Sequence, residues 1–403
     1  MNSFRTLALC LLAALVAAAC GDAYEAHEQY LKMGEKTYLG KVRDLEAQGG
    51  FKRAQLKWWL SADPRVSEVV IAWEEGGGGE VVVPVPDGRN VADSMTHTID
   101  LDEDRYTFSV KTRSAVGSES LVSTASCEVY GDTYKASLTP QTATVAIDYR
   151  GVIYFAWAQV DGCLMTTMRY ADKLGEQKTL EIAPGTTSTT FTDVEPGAAY
   201  TLKSVFEPGE NAFESVETDE VEMHFPAMPA FFEFVGSTFD SSVKSGVADT
   251  IDRSGWSIAS FSTEEDGSES NGRAKHLIDG VATTYWSSKT SDGGTGTPNP
   301  PLPHEVVIDM KSPQGVRAVE VMRQQGNASV ATVEIYLGDA QAGPWRHAAM
   351  LTFPTAAGTR RKVALFPEDL RGQYARVLVT GSHSGTLATI AEVVFYKSVS
   401  TAQ

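Results

Sequence analysis

The residues able to do chemistry in this chain are few and scattered. Of seven histidines, His276, His304 and His383 each stand alone, which suits structural or exposed imidazoles better than a proton relay. No serine, histidine and acid fall into a recognisable nucleophilic motif. Glu74-Glu75 and Glu264-Glu265 are paired carboxylates, the raw material of glycoside hydrolysis, which needs two carboxyl groups ~5–9 Å apart in space. Adjacency in sequence does not supply that distance. One stretch is denser in oxygen. In "AKHLIDGVATTYWSS", residues 274–288, the apolar pair Leu277-Ile278 runs into Asp279-Gly280, followed by threonines and Trp286. Asp-Gly reverses a chain readily. A turn so close to a core-sized tryptophan either reverses the chain or holds something.

The start of the chain decides where such chemistry would operate. Arg5 supplies a positive start, Leu7 to Val16 is apolar, and Ala17-Ala18-Ala19 precede Cys20. This is the pattern of a secretory signal, set aside in fold reasoning. Its small residues ending at a cysteine resemble a bacterial lipobox, which makes Cys20 the lipidated first residue of the mature chain. The apolar run is shorter than the ~20 residues that span a bilayer. The expectation is a cell-envelope protein anchored by lipid. Asp22 and Glu25 are similar to the acidic start of surface-exported lipoproteins, so an outer-membrane and surface-exposed position is expected.

Composition fits that setting. The formal charge is −18, whereas phosphate binding needs a basic surface, so a nucleic-acid partner is excluded. Beyond Cys10 and Cys20 the cysteines are Cys127 and Cys163. In an oxidising compartment these two could pair as a disulfide. Neither has zinc-site spacing. A chain of 403 residues suggests two to four domains at ~100–200 residues each.

The body reads as strands. Tyr106, Phe108 and Val110 alternate with polar residues in "YTFSVKT", as do Val333, Ile335 and Leu337 in "TVEIYLG" and Val377 and Val379 in "ARVLVTG". Helical periodicity is confined to residues 24–35. The tetraglycine Gly76–Gly79, between "VVIAWEE" and "EVVVPV", suits a hairpin connection better than a phosphate cradle, since no helix start follows it. A faint repeat places Trp58, Trp73 and Tyr106 against Trp157, Tyr170 and Tyr200, at close to the ~100-residue period of an immunoglobulin-like sandwich. Their expected role is core packing.

Two family resemblances follow. "GEKTYLGKV", "RAQLKWW", "VVIAW", "VYGDTY" and "DVEPGAAYTLKSVFEP" resemble the DUF4998 type of Bacteroidetes surface lipoprotein, over about residues 28–225. That resemblance implies tandem Ig-like or fibronectin-III-like domains and no activity. From Gly255 onward, "IASFSTEE", "HLIDGVATTYWSS", "PPLPHEVVIDM", "VRAVEVMRQQGN", "VEIYLGDAQAGPW", "ARVLVTG" and "ATIAEVVFYK" resemble the discoidin, or F5/8 type C, family. The implied fold is an eight-stranded jelly roll. Its bacterial members are often carbohydrate-binding modules of the family 32 type.

The chain is therefore expected to be all-β, with two Ig/fibronectin-III-like sandwiches followed by a discoidin-type jelly roll. The expected divisions are a leader at 1–19, an anchor linker at 20–27, sandwiches at 28–126 and 127–226, a linker at 227–251, and the discoidin domain at 252–398. In the discoidin family the Ile-Asp-Gly turn wraps a structural calcium ion. Here the resemblance implies the Asp279 carboxylate, the Thr284 hydroxyl and carbonyl, the carbonyls of His276, Val281 and Ala391, and the Glu392 carboxylate. Calcium takes six to eight such oxygens. In galactose-binding members an arginine and an asparagine of one loop hold the sugar; Arg323 and Asn327 of "MRQQGN" match them, and this loop is expected to lie outside the core. Two positions depart from that pattern. A histidine after the tryptophan is Ser287 here, and the late aromatic platform is replaced by His383 and Leu387.

Two functions remain open. One is a non-catalytic lipoprotein that binds a glycan through its jelly roll, with the sandwiches as spacers. The other is an adhesive or scaffolding lipoprotein gripping a protein or another envelope component. Three sandwiches account for the chain, so no catalytic domain is expected.

Overall fold

A computed structural model describes residues 37–88, 90, 92–265, 271–289, 300–356 and 358–399. The leader, Cys20 and the helical stretch at 24–35 lie outside the described residues. Among the described residues no helix is long and apolar enough to cross a membrane.

The first unit contains β1 (Arg43–Gly50), β2 (Arg53–Trp59), β3 (Val66–Trp73), β4 (Gly79–Pro84), β5 (Ser94–Asp100), β6 (Asp104–Ser114) and β7 (Ser123–Val129). They form two antiparallel sheets, ordered β1-β2-β5 and β4-β3-β6-β7. Alternation decides the faces. Ala54, Leu56 and Trp58 of β2 point inward, against Val69 and Ile71 of β3 and Tyr106, Phe108 and Val110 of β6. The tetraglycine closes the β3–β4 hairpin. At Gly79 a Cβ would lie 2.3 Å from the Trp73 ring, so the indole can cross the backbone only over glycine.

The second unit contains β8 (Ala143–Ile147), β9 (Ile153–Trp157), β10 (Cys163–Ala171), β11 (Gln177–Ile182), β12 (Ser188–Phe191), β13 (Ala199–Phe206), β14 (Val216–Glu217) and β15 (Val221–His224). Its sheets are β12-β9-β8 and β11-β10-β13, with β14 and β15 both on β13. Phe155 sits at the centre, with ring centroids of Trp157, Phe191, Tyr200 and Phe225 5.2–5.8 Å away. The repeat read from the aromatics is a repeat of topology. Trp58 and Trp157 lie on the central strands of the three-stranded sheets, Trp73 and Tyr170 on β3 and β10, and Tyr106 and Tyr200 on β6 and β13.

Two expectations change here. A boundary between residues 126 and 127 would cut β7, which pairs with β6 from Ser123 to Val129; the first unit runs on to Tyr130, which bridges to Phe51. The two cysteines are free. Cys127 packs against the first core, where burial pushes its thiol up to about 11. Cys163 opens β10 of the second unit, with its Sγ 3.6 Å from Thr166 Oγ1. The two cysteines lie in separate units.

The C-terminal unit contains β16 (Phe232–Val235), β17 (Ala248–Thr250), β18 (Ser257–Phe261), β19 (Trp286–Ser287), β20 (His304–Arg323), β21 (Val330–Gly338), β22 (Trp345–Thr352), β23 (Arg361–Ser382) and β24 (Thr389–Ser398). The order is β17-β24-β20-β23-β21-β22, with β16 on β23, β18 on β20 and β19 on β24. The long β20 and β23 pair on both sides of a register break between Asp309 and Gln314. They therefore bend round a core that includes Trp286, Ile308, Val319, Val321, Ile335, Leu351 and Phe395.

The expected linker at 227–251 is part of this unit. Phe232–Val235 pairs with Leu365–Lys362, and Ala248–Thr250 with Ser398–Tyr396. Between them a short helix, Gly236–Ser242, buries Phe239. Phe239, Val243 and Ala248 form a second small core with Ala318, Val363, Leu365 and Tyr396. The physical reason lies in "FFEFV": Phe232 and Phe234 alternate as in a strand and pack on that core. Beside it the buried Glu320 accepts from the Tyr396 hydroxyl at 2.7 Å and from both Nε and Nη2 of Arg361, whose Nη1 reaches Asp240 at 2.6 Å.

Candidate ligand rim and metal loop of the C-terminal unit

The Asp279-Gly280 turn is held from several directions. A 3-10 turn, Ala274–Leu277, buries His276 and Leu277 and delivers the chain to Asp279. Asp279 Oδ2 receives His276 Nδ1 at 2.8 Å and the Thr284 hydroxyl at 2.8 Å, while Oδ1 accepts the Val281 N–H at 2.8 Å. Partial burial pushes this carboxyl up, but those bonds hold it below the ordinary aspartate value. Gly280 adopts φ +81°, which favours glycine. From the far end of the chain, Glu392 on β24 accepts the N–H groups of Gly280 and Val281 at 2.7 and 3.1 Å. Glu392 is 3% exposed, and desolvation raises its carboxyl to about 7. Its other oxygen accepts from Arg253 Nη1 at 2.5 Å.

The oxygens are of the kind calcium selects: two carboxylates, a hydroxyl and backbone carbonyls. Asp279, Thr284 and Glu392 are brought to one place by this bonding, with His276 and Val281 on the same loop and Ala391 beside Glu392. Among the described residues there is no cluster of three or more His, Cys, Asp or Glu side chains suited to a metal. A cation here would rest on two carboxylates and neutral oxygens. Arg253 already provides Glu392 with one positive partner.

Of the five positions expected to meet a sugar, Asn327, His383 and Leu387 lie along one rim, whereas Arg323 and Ser287 are buried, the Ser287 hydroxyl donating to the Ser288 carbonyl at 2.9 Å. Ser287 pairs with Thr389 across β19 and β24. The Ser329 carbonyl accepts the His383 N–H at 2.6 Å, and the Asn327 carboxamide accepts the Ser329 N–H at 2.8 Å. Leu387 closes the turn by donating its N–H to Ser384 at 3.0 Å. His383 Nε2 stands 2.9 Å from the Phe353 carbonyl, and His304 Nε2 2.7 Å from that of Thr386. Three segments, 324–329, 353–356 and 382–388, are thereby tied together.

Arg323 does not present its guanidinium to solvent. It is 1% exposed. Nη1 donates to the carbonyls of Pro354 at 3.0 Å and Val330 at 3.4 Å, and Nη2 to those of Ala356 at 2.8 Å and Thr359 at 2.6 Å. Its carbon centre lies 4.9 Å from the Phe353 ring centroid. Burial lowers its affinity for the proton. A place outside the core, expected for this loop arginine, is corrected: Arg323 ends β20 on the same inward face as Val319 and Val321. Asn327 caps its own turn. Groups not singled out in the sequence also shape the rim. Gln324 accepts from the Asn327 amide at 3.3 Å. Arg360 donates to the Arg323 carbonyl at 2.9 Å and to that of Ala282, joining the rim to the loop that follows Asp279-Gly280. The exposed surface of the rim carries Gln325, His383 and Ser384.

With this geometry in view, the class of the C-terminal unit is settled by comparison. Residues 257–393 match the family model of the F5/8 type C domain. The preceding region, residues 20–215, matches DUF4998, a domain of unknown function, so the chain joins a DUF4998 region to an F5/8 type C domain. A sialidase of Micromonospora viridifaciens is 31% identical over 150 residues, covering 36% of this chain and 21% of that protein. The chain thus spans about a fifth of the length of that curated relative. Among solved structures, the C-terminal domain of a chitobiase from Bacteroides fragilis is similar at 25% identity, over 38% of this chain and 99% of that one, with a TM-score of 0.32. A family 32 CBM from C. perfringens NanJ in complex with galactose is similar at 18% identity, over 37% and 99%, with a TM-score of 0.31. Another CBM32 from Clostridium perfringens, in complex with GalNAc-β-1,3-galactose, is similar at 15% identity, over 36% and 99%, with a TM-score of 0.32.

Proposed function

We propose that this protein is a non-catalytic lipoprotein of the cell envelope that binds carbohydrate through its F5/8 type C domain. Cys20 carries the lipid anchor, the outer membrane is its site, and the two N-terminal sandwiches hold the binding domain away from the surface. The observation that carries the reading is the rim. Loops from three parts of the domain are fixed by Arg323, His304 and His383, and amide, imidazole and hydroxyl groups line their edge. Such convergent polar groups on a rigid scaffold suit a polyol, whose hydroxyls both donate and accept. In this reading Asn327, His383 and Leu387 shape the sugar subsite, Ser287 supports it from a buried position beside Thr389, and Arg323 acts by holding the loops.

Calcium belongs to the same proposal as a structural ion. Asp279, Thr284 and Glu392, with the carbonyls of His276, Val281 and Ala391, would hold it. Bound there, it would add positive charge between chain positions more than a hundred residues apart. The experiment for the whole reading is a glycan-array screen of the soluble chain beginning after Cys20. Selective binding to a glycan supports it. Retention of a protein partner with no glycan signal would favour the adhesive alternative.

A further inference from the structure

Arg323 faces inward, but a second arginine of the domain does not. Arg253 belongs to the turn "DRSGW", in which Asp252 Oδ1 accepts the Ser254 N–H at 2.9 Å and the Arg253 carbonyl accepts the Trp256 N–H at 2.9 Å. Its Nη1 is fixed to Glu392 at 2.5 Å and to the Val393 carbonyl at 2.9 Å. Its Nη2 is directed elsewhere. It lies 3.9 Å from where a Cβ on Gly280 would stand and makes no hydrogen bond among the described residues. A cavity of about 740 Å³ opens there, lined by Arg253, Ser254, Trp256, Lys275, Asp279 and Gly280 among others. Trp256 is half-buried, edge-on to Phe395 with centroids 5.5 Å apart.

We infer that this cavity, with Arg253 Nη2 as its fixed donor and Trp256 as its apolar wall, is a saccharide-binding site separate from the rim. The inference rests on the reading that the domain binds carbohydrate. A pyranose offers hydroxyl oxygens to a guanidinium and a C–H face to an indole. The volume falls within the ~300–1,000 Å³ of small-molecule sites. The Glu392 ion pair holds the arginine in place before the ligand arrives, so little side-chain freedom is lost on binding. The carboxylate of Asp279 is already engaged by His276, Val281 and Thr284 and that of Asp252 by Ser254, while Arg253 Nη2 is a donor on offer.

The test uses the soluble chain beginning after Cys20, titrated calorimetrically with galactose, N-acetylgalactosamine and mannuronate oligosaccharides, with tryptophan emission followed in parallel. Arg253→Lys keeps a cation for Glu392 and removes the second nitrogen. It should weaken the best-binding probe about tenfold or more with little change in Tm. Lys275→Ala and Ser254→Arg, both at exposed positions of the cavity, should also weaken it, and Trp256→Phe should abolish the emission change. Should Arg253→Lys fail to fold, those exposed variants decide the question. Wild-type affinity in all cavity variants, with binding lost in Asn327→Ala or His383→Ala, would overturn the inference and leave the rim as the site. No binding of any probe by the unaltered chain would overturn both the inference and the carbohydrate reading.

Discussion

The N-terminal sandwiches and the F5/8 type C domain bury different kinds of polar group. Among the described residues of the sandwiches the buried polar side chains are neutral: Thr112, Ser114, Ser120, Gln141, Thr166, Ser204 and Thr218. Those of the C-terminal domain include Glu320, Arg323, Glu392, His276 and His304. Neutral groups need only their hydrogen bonds. In the second unit Thr166 meets Ser204 at 2.6 Å and Gln141 at 3.1 Å. Burying a charge costs several kcal/mol unless it is paired and fully bonded. Each of these buried charges in the C-terminal domain sits where separate chain segments must be fixed: Glu320 under the 227–251 wrap, Arg323 under the rim loops, and Glu392 at the Asp279-Gly280 turn. The difference teaches where positional accuracy is maintained. It is kept in the C-terminal domain.

The contrast can be broken most forcefully at the wrap. Phe239 is fully buried, and Phe239→Ala should cost about 3–5 kcal/mol. Glu320→Ala leaves Arg361 Nε and the Tyr396 hydroxyl without their acceptor, Arg361 keeping Asp240, and should cost about 3 kcal/mol. Differential scanning calorimetry should show both losses in one transition only, the C-terminal one. Movement of the sandwich transitions would mean that the wrap belongs elsewhere.

Arg323→Met comes next, at about 2–3 kcal/mol, because four carbonyls lose their donor at once. Protease cleavage within the rim loops should rise in this variant. An unchanged melting profile would return Arg323 to the role of a ligand-contacting residue.

Calcium sharpens the contrast from the other side. An ion bound only by the folded domain stabilises it by ~2.7 kcal/mol at a hundredfold excess over Kd. Chelation should therefore lower the C-terminal transition and leave the sandwiches unmoved, and Asp279→Ala should abolish the difference. Identical curves with and without chelator, together with no calcium by elemental analysis, would remove the ion from the account.

The smallest effect belongs to the joint between the sandwiches. Glu214 of the second accepts the Phe51 N–H of the first at 2.5 Å and pairs with Arg53, and the Phe213 N–H reaches the Gly49 carbonyl at 3.1 Å. Arg53 is half exposed in this pair, so solvent screens it and its own contribution is small. Glu214→Ala should separate the two sandwich transitions by a few degrees and leave the C-terminal one in place. Coincident transitions in the variant would show that the joint does not depend on this residue.

Much of this was legible in the residues. The alternation in "TVEIYLG" and "ARVLVTG" fixes their inward sets, and the spacing of Trp58, Trp73 and Tyr106 against Trp157, Tyr170 and Tyr200 marks a real repeat of strand order. The misread parts share one cause: composition outweighed period. Pro, Ser and Gly made 227–251 look like a linker, although "FFEFV" has the two-residue period of a strand. "MRQQGN" looked like a loop at Arg323, although Val319, Val321 and Arg323 fall on one face. A buried arginine is uncommon enough that its charge argued for the surface. Neither the Arg253–Glu392 pair nor the Arg323 fan of carbonyls has a sequence signal, since each joins positions brought together only by the folded sheet.

The central claim is that carbohydrate binding resides in the C-terminal domain. It is tested most directly by calorimetric titration of the best array glycan into the soluble chain beginning after Cys20 and into the same chain lacking residues 227–403. The full chain should bind with one unchanged affinity across preparations, and the truncated chain should show no heat of binding. Equal binding by both chains, or none by the full chain across the whole array, would contradict the account.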